Sequence, residues 1–488
     1  MIAFKAVHAD KQYRIPERTM KTKPTAIKLD DIGHILVDHF KHRENINCYI
    51  GSNAATPTAS IEALTDAIKE ESAKLPFMKM FHILLHGNIP YLEEGLQDRV
   101  KAYSIFSGEA VRKAANEGRA YYLPCTLGTM DRLIGKGCAY EMDVVIMKVR
   151  QNEMTGEYSL GLSVDAIHSA LETAGVVIAE LDPTMPFTQG QSVIAGEDID
   201  YIIEAGVQPV YTFNPPDFEN LSPEEKRIGE LIAGHFLKDG MTLQVGIGKI
   251  PDAVVGVIGS AGFKDLGVQT ELYSDGLMFL QEKGIITNKM KKINTGYSTT
   301  SLIMGSKKLY DYVHMRSQVQ MRPSVYTNSA EKVRDCAPFL SVNTAIGVDL
   351  SGNVWADFVN PTTYYSGVGG QPDFVRALSH KKYGTPIIAM KSLAGNGKSK
   401  IVPAHPSGIT LTASAYDGVV VVTEYGIADL RDLPTGFKGL ALAGISHPRY
   451  REALMKTIYN DPMMTKPKGF SLDKIPPGVI LYDGKTAI

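Results

Sequence analysis

Short, mainly apolar runs rich in β-branched residues alternate along this chain with stretches whose apolar positions recur every three to four residues. Met142 to Val149 and Gly418 to Thr423 are runs of the first kind, the pattern of strands buried on both faces. Such strands interleaved with amphipathic helices predict an α/β fold with mostly parallel sheets.

One helix start is legible in detail. Ser222 is placed to cap, Pro223 suits the first helical position, and Glu225 three residues on completes a capping box. Ile228, Leu231, Ile232 and Phe236 follow at helical spacing, with Gly240 placed to end the helix. Met241 to Val245 reads as the next strand, running into Gly246-Ile247-Gly248-Lys249-Ile250-Pro251, where Pro251 opens another helix through Ile258. The same order of helix, strand, Gly and Pro occurs earlier. Ile32-Gly33 and His39-Phe40 match Ile228-Gly229 and His235-Phe236 at one offset, leading to Gly51 and Pro57 as the later set leads to Gly246 and Pro251. Two related halves are the economical explanation, although two unrelated amphipathic helices would give the same coincidence. The polar, Pro-rich Asn214-Pro215-Pro216-Asp217 puts the boundary near residue 220, between domains 1–220 and 221–488.

Composition narrows the function by exclusion. With 44% apolar and 21% charged residues in 488, the chain has the make-up of a folded globular protein. A net charge of −2 supplies no basic field for nucleic acid or an anionic membrane. The four cysteines are far apart with no C-x-x-C pair, which fits a reducing, cytoplasmic setting and neither a zinc knuckle nor a disulfide framework. No apolar run has the length of a signal or a membrane span, so neither secretion nor membrane insertion is expected.

Three places carry candidate chemistry. The loop Gly246 to Pro251 joins a strand to a helix, so free N–H groups and a helix N-terminus converge there on an anion such as phosphate, and Lys249 adds a cation. It departs from G-x-G-x-x-G because Pro251 stands at the third glycine, which argues against a nicotinamide dehydrogenase. Glu271 lies in Gly267-Val-Gln-Thr-Glu-Leu-Tyr273, which reads as one strand closed by Ser274-Asp275-Gly276, and Glu is depleted in strands. By period two it shares a face with Gln269 and Tyr273, although a solvent-facing edge residue would look the same. Gly367-Val-Gly-Gly-Gln-Pro-Asp-Phe374 has three glycines in four positions, permitting close backbone approach to a ligand. His82 and His86 lack an acid or Cys to complete a metal set and read as structural, so no metal is expected.

Taken together, Gly246-Ile-Gly-Lys-Ile-Pro-Asp-Ala253, Leu266 to Gly276, Ser341-Val-Asn-Thr-Ala-Ile346, Gly367 to Arg376 and Val422-Thr-Glu-Tyr-Gly-Ile-Ala-Asp-Leu-Arg431 resemble the acetyl-CoA hydrolase/transferase family. Within it the likeness is greatest to 4-hydroxybutyrate and butyryl-CoA:acetate CoA-transferases, and it runs from Gly51 to Pro448. The resemblance implies two similar α/β domains with the active site between them, and Glu271 as a covalent nucleophile in a ping-pong exchange of CoA between acids. It further implies an oxyanion hole formed with Asn328 and Gly370, and CoA contacts at Gly246, Ile247, Gly248, Lys249, Ile250, Ile346, Gly369, Gly370 and Lys391. The implied partners are a short-chain acyl-CoA and a carboxylate, with coenzyme A as co-substrate, no other cofactor, no nucleic acid and no membrane, in a homo-oligomer. Two departures, Ala377 after Arg376 and an N-terminal extension of residues 1–20, bear on which acid is used. An acyl-CoA hydrolase and a non-catalytic CoA-binding regulator are the competing functions.

Overall fold

The computed structural model describes residues 23–70, 74–204, 210–460 and 478–482. The N-terminal extension lies outside them. The first sheet places Thr25–Ile27, Tyr201–Ile203, Val176–Leu181, Val144–Gln151, Asn45–Ile50, Phe77–His82, Val100–Ser104 and Ala120–Tyr122 side by side, every pair parallel. The second runs Gly267–Val268, Thr242–Val245, Phe339–Thr344, Gly384–Ala389 and Val420–Thr423, all parallel, and ends in antiparallel Gly426–Asp429 and Val479–Leu481. The α/β class follows from the strand chemistry. In Val144–Gln151, Val145 and Met147 join one apolar cluster while Val144 and Ile146 join another on the opposite side. A strand covered on both faces carries apolar residues on both, which is why Val144 to Met147 do not alternate with polar ones.

The repeat has a geometric counterpart. Helix Asp31–Phe40 precedes strand Asn45–Ile50, and the Gly51 N–H donates to Ile146 O of the neighbouring strand at 2.8 Å. Helix Pro223–Phe236 precedes strand Thr242–Val245, and the Gly246 N–H donates to Val342 O of its neighbour at 3.1 Å. The two loops then differ: a short 3-10 turn at Asn53–Ala55 precedes helix Thr58–Glu70, whereas helix Lys249–Ser260 begins three residues after Gly246.

The capping box forms as the sequence requires. Ser222 Oγ accepts from Glu225 N at 3.3 Å, and Glu225 Oε2 accepts from Ser222 N at 2.8 Å. Helix Pro223–Phe236 closes on Leu237, so Gly240 belongs to the following turn at φ +76° rather than to the helix end. Pro251 is the third helical residue instead of the first, since the helix already starts at Lys249.

A larger correction concerns the stretch expected as one strand from Gly267 to Tyr273. Gly267–Val268 pairs with Thr242–Val245, but Leu272–Tyr273 leaves that sheet and pairs with Leu302–Ile303. Residues 269–271 form the crossing between the two ribbons.

The halves also share strands. Gln189–Gly190 of the first lies parallel to Val319–Met321 of the second, which in turn pairs with Ser298–Thr300. A single apolar cluster includes Tyr49 and Val145 from one side and Leu243, Val342 and Val420 from the other. Among the described residues no helix is long and apolar enough to cross a membrane.

Candidate active site

Glu271 sits in the crossing, and its backbone is pinned there. Its carbonyl accepts from the N–H of Ser301 at 3.0 Å, the N–H of Leu302 at 2.9 Å and Thr300 Oγ1 at 3.0 Å. Leaving the sheet at this point frees the side chain from the alternation of a regular strand, so the expected face with Gln269 and Tyr273 does not form. Gln269 is buried and donates to Thr327 O at 3.1 Å, and Tyr273 is buried with its hydroxyl on Gln281 Oε1 at 2.8 Å. Glu271 instead lines a cavity of about 470 Å³ between the two halves.

One side chain and one backbone N–H hold its carboxylate. Asn328 Nδ2 donates to Glu271 Oε2 at 2.8 Å, and Asn328 Oδ1 accepts from Thr327 Oγ1 at 2.8 Å. Asn328 Nδ2 also lies 3.3 Å from Asp373 Oδ2. The Gly370 N–H faces Glu271 as well. A Cβ on Gly370 would collide with both Asn328 Nδ2 and Glu271 Oε2, so only glycine lets the backbone come this close. Gly369 at φ +58° makes the turn that puts it there.

Burial pushes the Glu271 carboxyl up to about 7, the nearby Asp373 charge pushes the same way, and the donors Asn328 and Gly370 oppose them. Desolvation is the largest cause, as expected for a carboxylate taken out of water. Asp373 is likewise pushed up to about 6 by burial, against donors at Thr126, Gly128 and Asn328.

The remaining expected contacts fall into one continuous groove. Gly246, Ile247, Ile346, Gly369 and Gly370 line the Glu271 cavity. Gly248, Lys249, Ile250 and Lys391 line an adjoining depression of about 670 Å³, and Ile247, Pro251, Thr344 and Lys400 belong to both. Gly248 caps helix Lys249–Ser260 at φ +111° with no side chain over the helix end, leaving the first-turn N–H groups open to the groove. Lys391 pairs with Glu225 at 2.8 Å, so the capping box also anchors this cation. Cations at Lys249, Lys391 and Lys400 therefore lie at one end of the groove, whereas Phe106, Leu127, Leu302 and Met304 give the Glu271 cavity apolar walls. His82 is buried with Nδ1 on Ile83 O at 3.0 Å and is pushed down to about 4 by burial, a structural histidine. Among the described residues no cluster of His, Cys, Asp or Glu is arranged to hold a metal.

Several site residues went unread in the sequence. Asp373 lies inside the glycine-rich stretch Gly367 to Phe374 but carries no signal of its own there, and Thr126, Gly128 and Lys400 carry no local signal at all.

Residues 27–212 match the acetyl-CoA hydrolase/transferase N-terminal domain and residues 305–458 the acetyl-CoA hydrolase/transferase C-terminal domain. The 4-hydroxybutyrate coenzyme A transferase of Clostridium kluyveri is 37% identical over 80% of this chain and 90% of its own length. The chain belongs to the acetyl-CoA hydrolase/transferase family. Another member, the butyryl-CoA:acetate CoA-transferase of Anaerostipes caccae, is 31% identical over 72% of this chain and 78% of its own. Among solved structures, 4-hydroxybutyrate CoA-transferase from Porphyromonas gingivalis superposes with a TM-score of 0.69 at 31% identity, over 89% of this chain and 97% of that one. RipA from Yersinia pestis superposes with a TM-score of 0.78 at 25% identity and the same coverage. Within this member of the acetyl-CoA hydrolase/transferase family, Glu271 and the Gly370 loop, both of the second half, lie against each other in the cleft between the halves.

Proposed function

We propose that this CoA-transferase exchanges CoA between a short-chain acyl-CoA and a monocarboxylic acid by a ping-pong route through a Glu271-CoA thioester. One observation carries the reading: Glu271, pinned by its backbone, poorly solvated and met by Asn328 Nδ2 at 2.8 Å, lines the cleft. A carboxylate short of water is a stronger nucleophile than a hydrated one, and its position leaves one face to the cavity.

In the first step a Glu271 oxygen attacks the thioester carbonyl, the C–S bond breaks, and a mixed anhydride and CoA thiolate result. The thiolate then attacks the Glu271 carbonyl, the first acid leaves as its carboxylate, and CoA is held as a glutamyl thioester. A second acid reverses both steps. Each tetrahedral intermediate bears an oxyanion, for which Asn328 and the Gly370 N–H are placed as donors, each worth on the order of 2.7–4 kcal/mol. Thioester energy is conserved throughout, so CoA is the one co-substrate the scheme requires.

The groove suits the rest of the molecule. The lysine-bearing loop and the helix end at Gly248 offer charge and N–H groups to the phosphates of CoA, and the apolar walls of the Glu271 cavity accommodate a short acyl chain. Incubating the enzyme with acyl-CoA without an acceptor and reducing with borohydride tests the reading. The peptide holding Thr270-Glu271-Leu272 should carry the reduced residue, and initial rates should give parallel lines. Intersecting lines with an unmodified peptide would overturn it, and a full rate without acceptor acid would make the enzyme a hydrolase.

A further inference from the structure

The two carboxylates Glu271 and Asp373 reach the same amide nitrogen, at 2.8 and 3.3 Å. That nitrogen has two hydrogens, so each carboxylate takes one. The other edge of the amide is occupied by the Thr327 hydroxyl on Oδ1. A carboxamide is free to turn over unless its neighbours tell oxygen from nitrogen, and an Asn328 turned the wrong way would present Oδ1 to the nucleophile. Asp373 is the neighbour that makes this distinction at the nitrogen edge without itself reacting.

Asp373 is held from the opposite half of the chain. Its Oδ1 accepts from Thr126 Oγ1 at 2.6 Å and its Oδ2 from the Gly128 N–H at 2.8 Å. A Cβ on Gly128 would stand 2.7 Å from Asp373 Cγ, so this approach needs glycine. Leu127 N–H reaches Gly369 O at 3.3 Å in the same turn. The turn 126–128 thus touches the second half through both Asp373 and the loop that carries Gly370.

We propose that Asp373 is a positioning residue which, anchored on Thr126 and Gly128 of the N-terminal half, aims the Asn328 amide at Glu271. The inference rests on Glu271 acting as nucleophile. It makes correct seating of the two halves a condition for the chemistry: withdrawing the 126–128 turn loosens Asp373, and the amide loses its aim. A misplacement on the order of 1 Å at such a site costs up to about a hundredfold in rate.

Asp373→Asn keeps the volume, removes the charge and puts a second amide against Asn328. The expected result is a kcat lower by about tenfold or more, with the KM for acyl-CoA within about twofold, because the groove that holds CoA is untouched. The acid limb of kcat/KM, set by Glu271, should also move to lower pH as the like charge disappears. Arg376 and Cys125, the other titratable groups facing Asp373, stay in place. Gly128→Ala displaces the carboxylate from the other half and should lower kcat in the same way without changing any charge. An unchanged kcat in both variants overturns the proposal, as does an Asp373→Asn enzyme that loses kcat while its acid limb stays put. Should Asp373→Asn fail to fold, Gly128→Ala decides alone. The borohydride trap keeps the two readings separate: no adduct in the unaltered enzyme removes Glu271 as nucleophile, whereas an adduct formed equally fast with and without Asp373 removes only the positioning role.

Discussion

The Gly370 backbone stands so close to the Glu271 carboxylate that a single added carbon would occupy the space of Oε2 and of Asn328 Nδ2 together. Gly370→Ala should therefore keep its fold, since the residue belongs to a loop, and lose at least about a hundredfold in kcat through displacement of both groups. Exchange assays alongside thermal melts check this, the melt being expected to stay within a few degrees.

Glu271→Gln retains the shape and the neighbours of the side chain but removes the anion. Exchange should vanish while acyl-CoA still binds, as read by calorimetry. A fully active variant would remove Glu271 from the site.

The pH dependence has a definite sign. Glu271 is raised from an ordinary 4.5 to about 7, and only its ionised form attacks, so kcat/KM should climb about tenfold per unit below that point and level off above it. Stability runs the other way. A carboxyl that binds its proton more tightly when folded stabilises the protein below its unfolded value, and that contribution is lost as pH rises through about 7. Glu271→Gln should accordingly melt progressively higher than the unaltered protein as pH is raised from 4.5 to 7.

Gly248→Val tests the anion end of the groove. At φ +111° a β-branched residue is strained, and its side chain would screen the helix end, so the KM for acyl-CoA should rise about tenfold while that for the free acid hardly changes. Equal change in both constants would place the phosphates elsewhere. Lys391→Ala should act in the same direction more weakly, because its partly exposed ammonium is already shared with Glu225.

Much of this was legible in the sequence, for identifiable reasons. The strands buried on both faces, the capping box and the glycine loop announce themselves through local chemistry, and Glu271 stands out as an acid in a run that otherwise favours strand. What escaped depends on distant chain. The break after Val268 exists because Leu272 finds Leu302 as its partner, a pairing no local pattern encodes. The Asp373 anchor comes from Thr126, 247 residues away, through a hydroxyl that has nothing unusual about it in sequence. Lys391 lines the groove, but its tie to the capping Glu225 appears only when the two loops are brought together.

The strand pairing of Gln189–Gly190 with Val319–Met321 has a consequence for anyone dividing this gene. Each half, expressed alone, would end in an unsatisfied sheet edge and a bare apolar flank, because Tyr49, Val145, Leu243 and Val420 share one core. The two halves are thus not independent lodgers. Fragments should aggregate when made separately and regain solubility when produced together, as the pieces of a split reporter do.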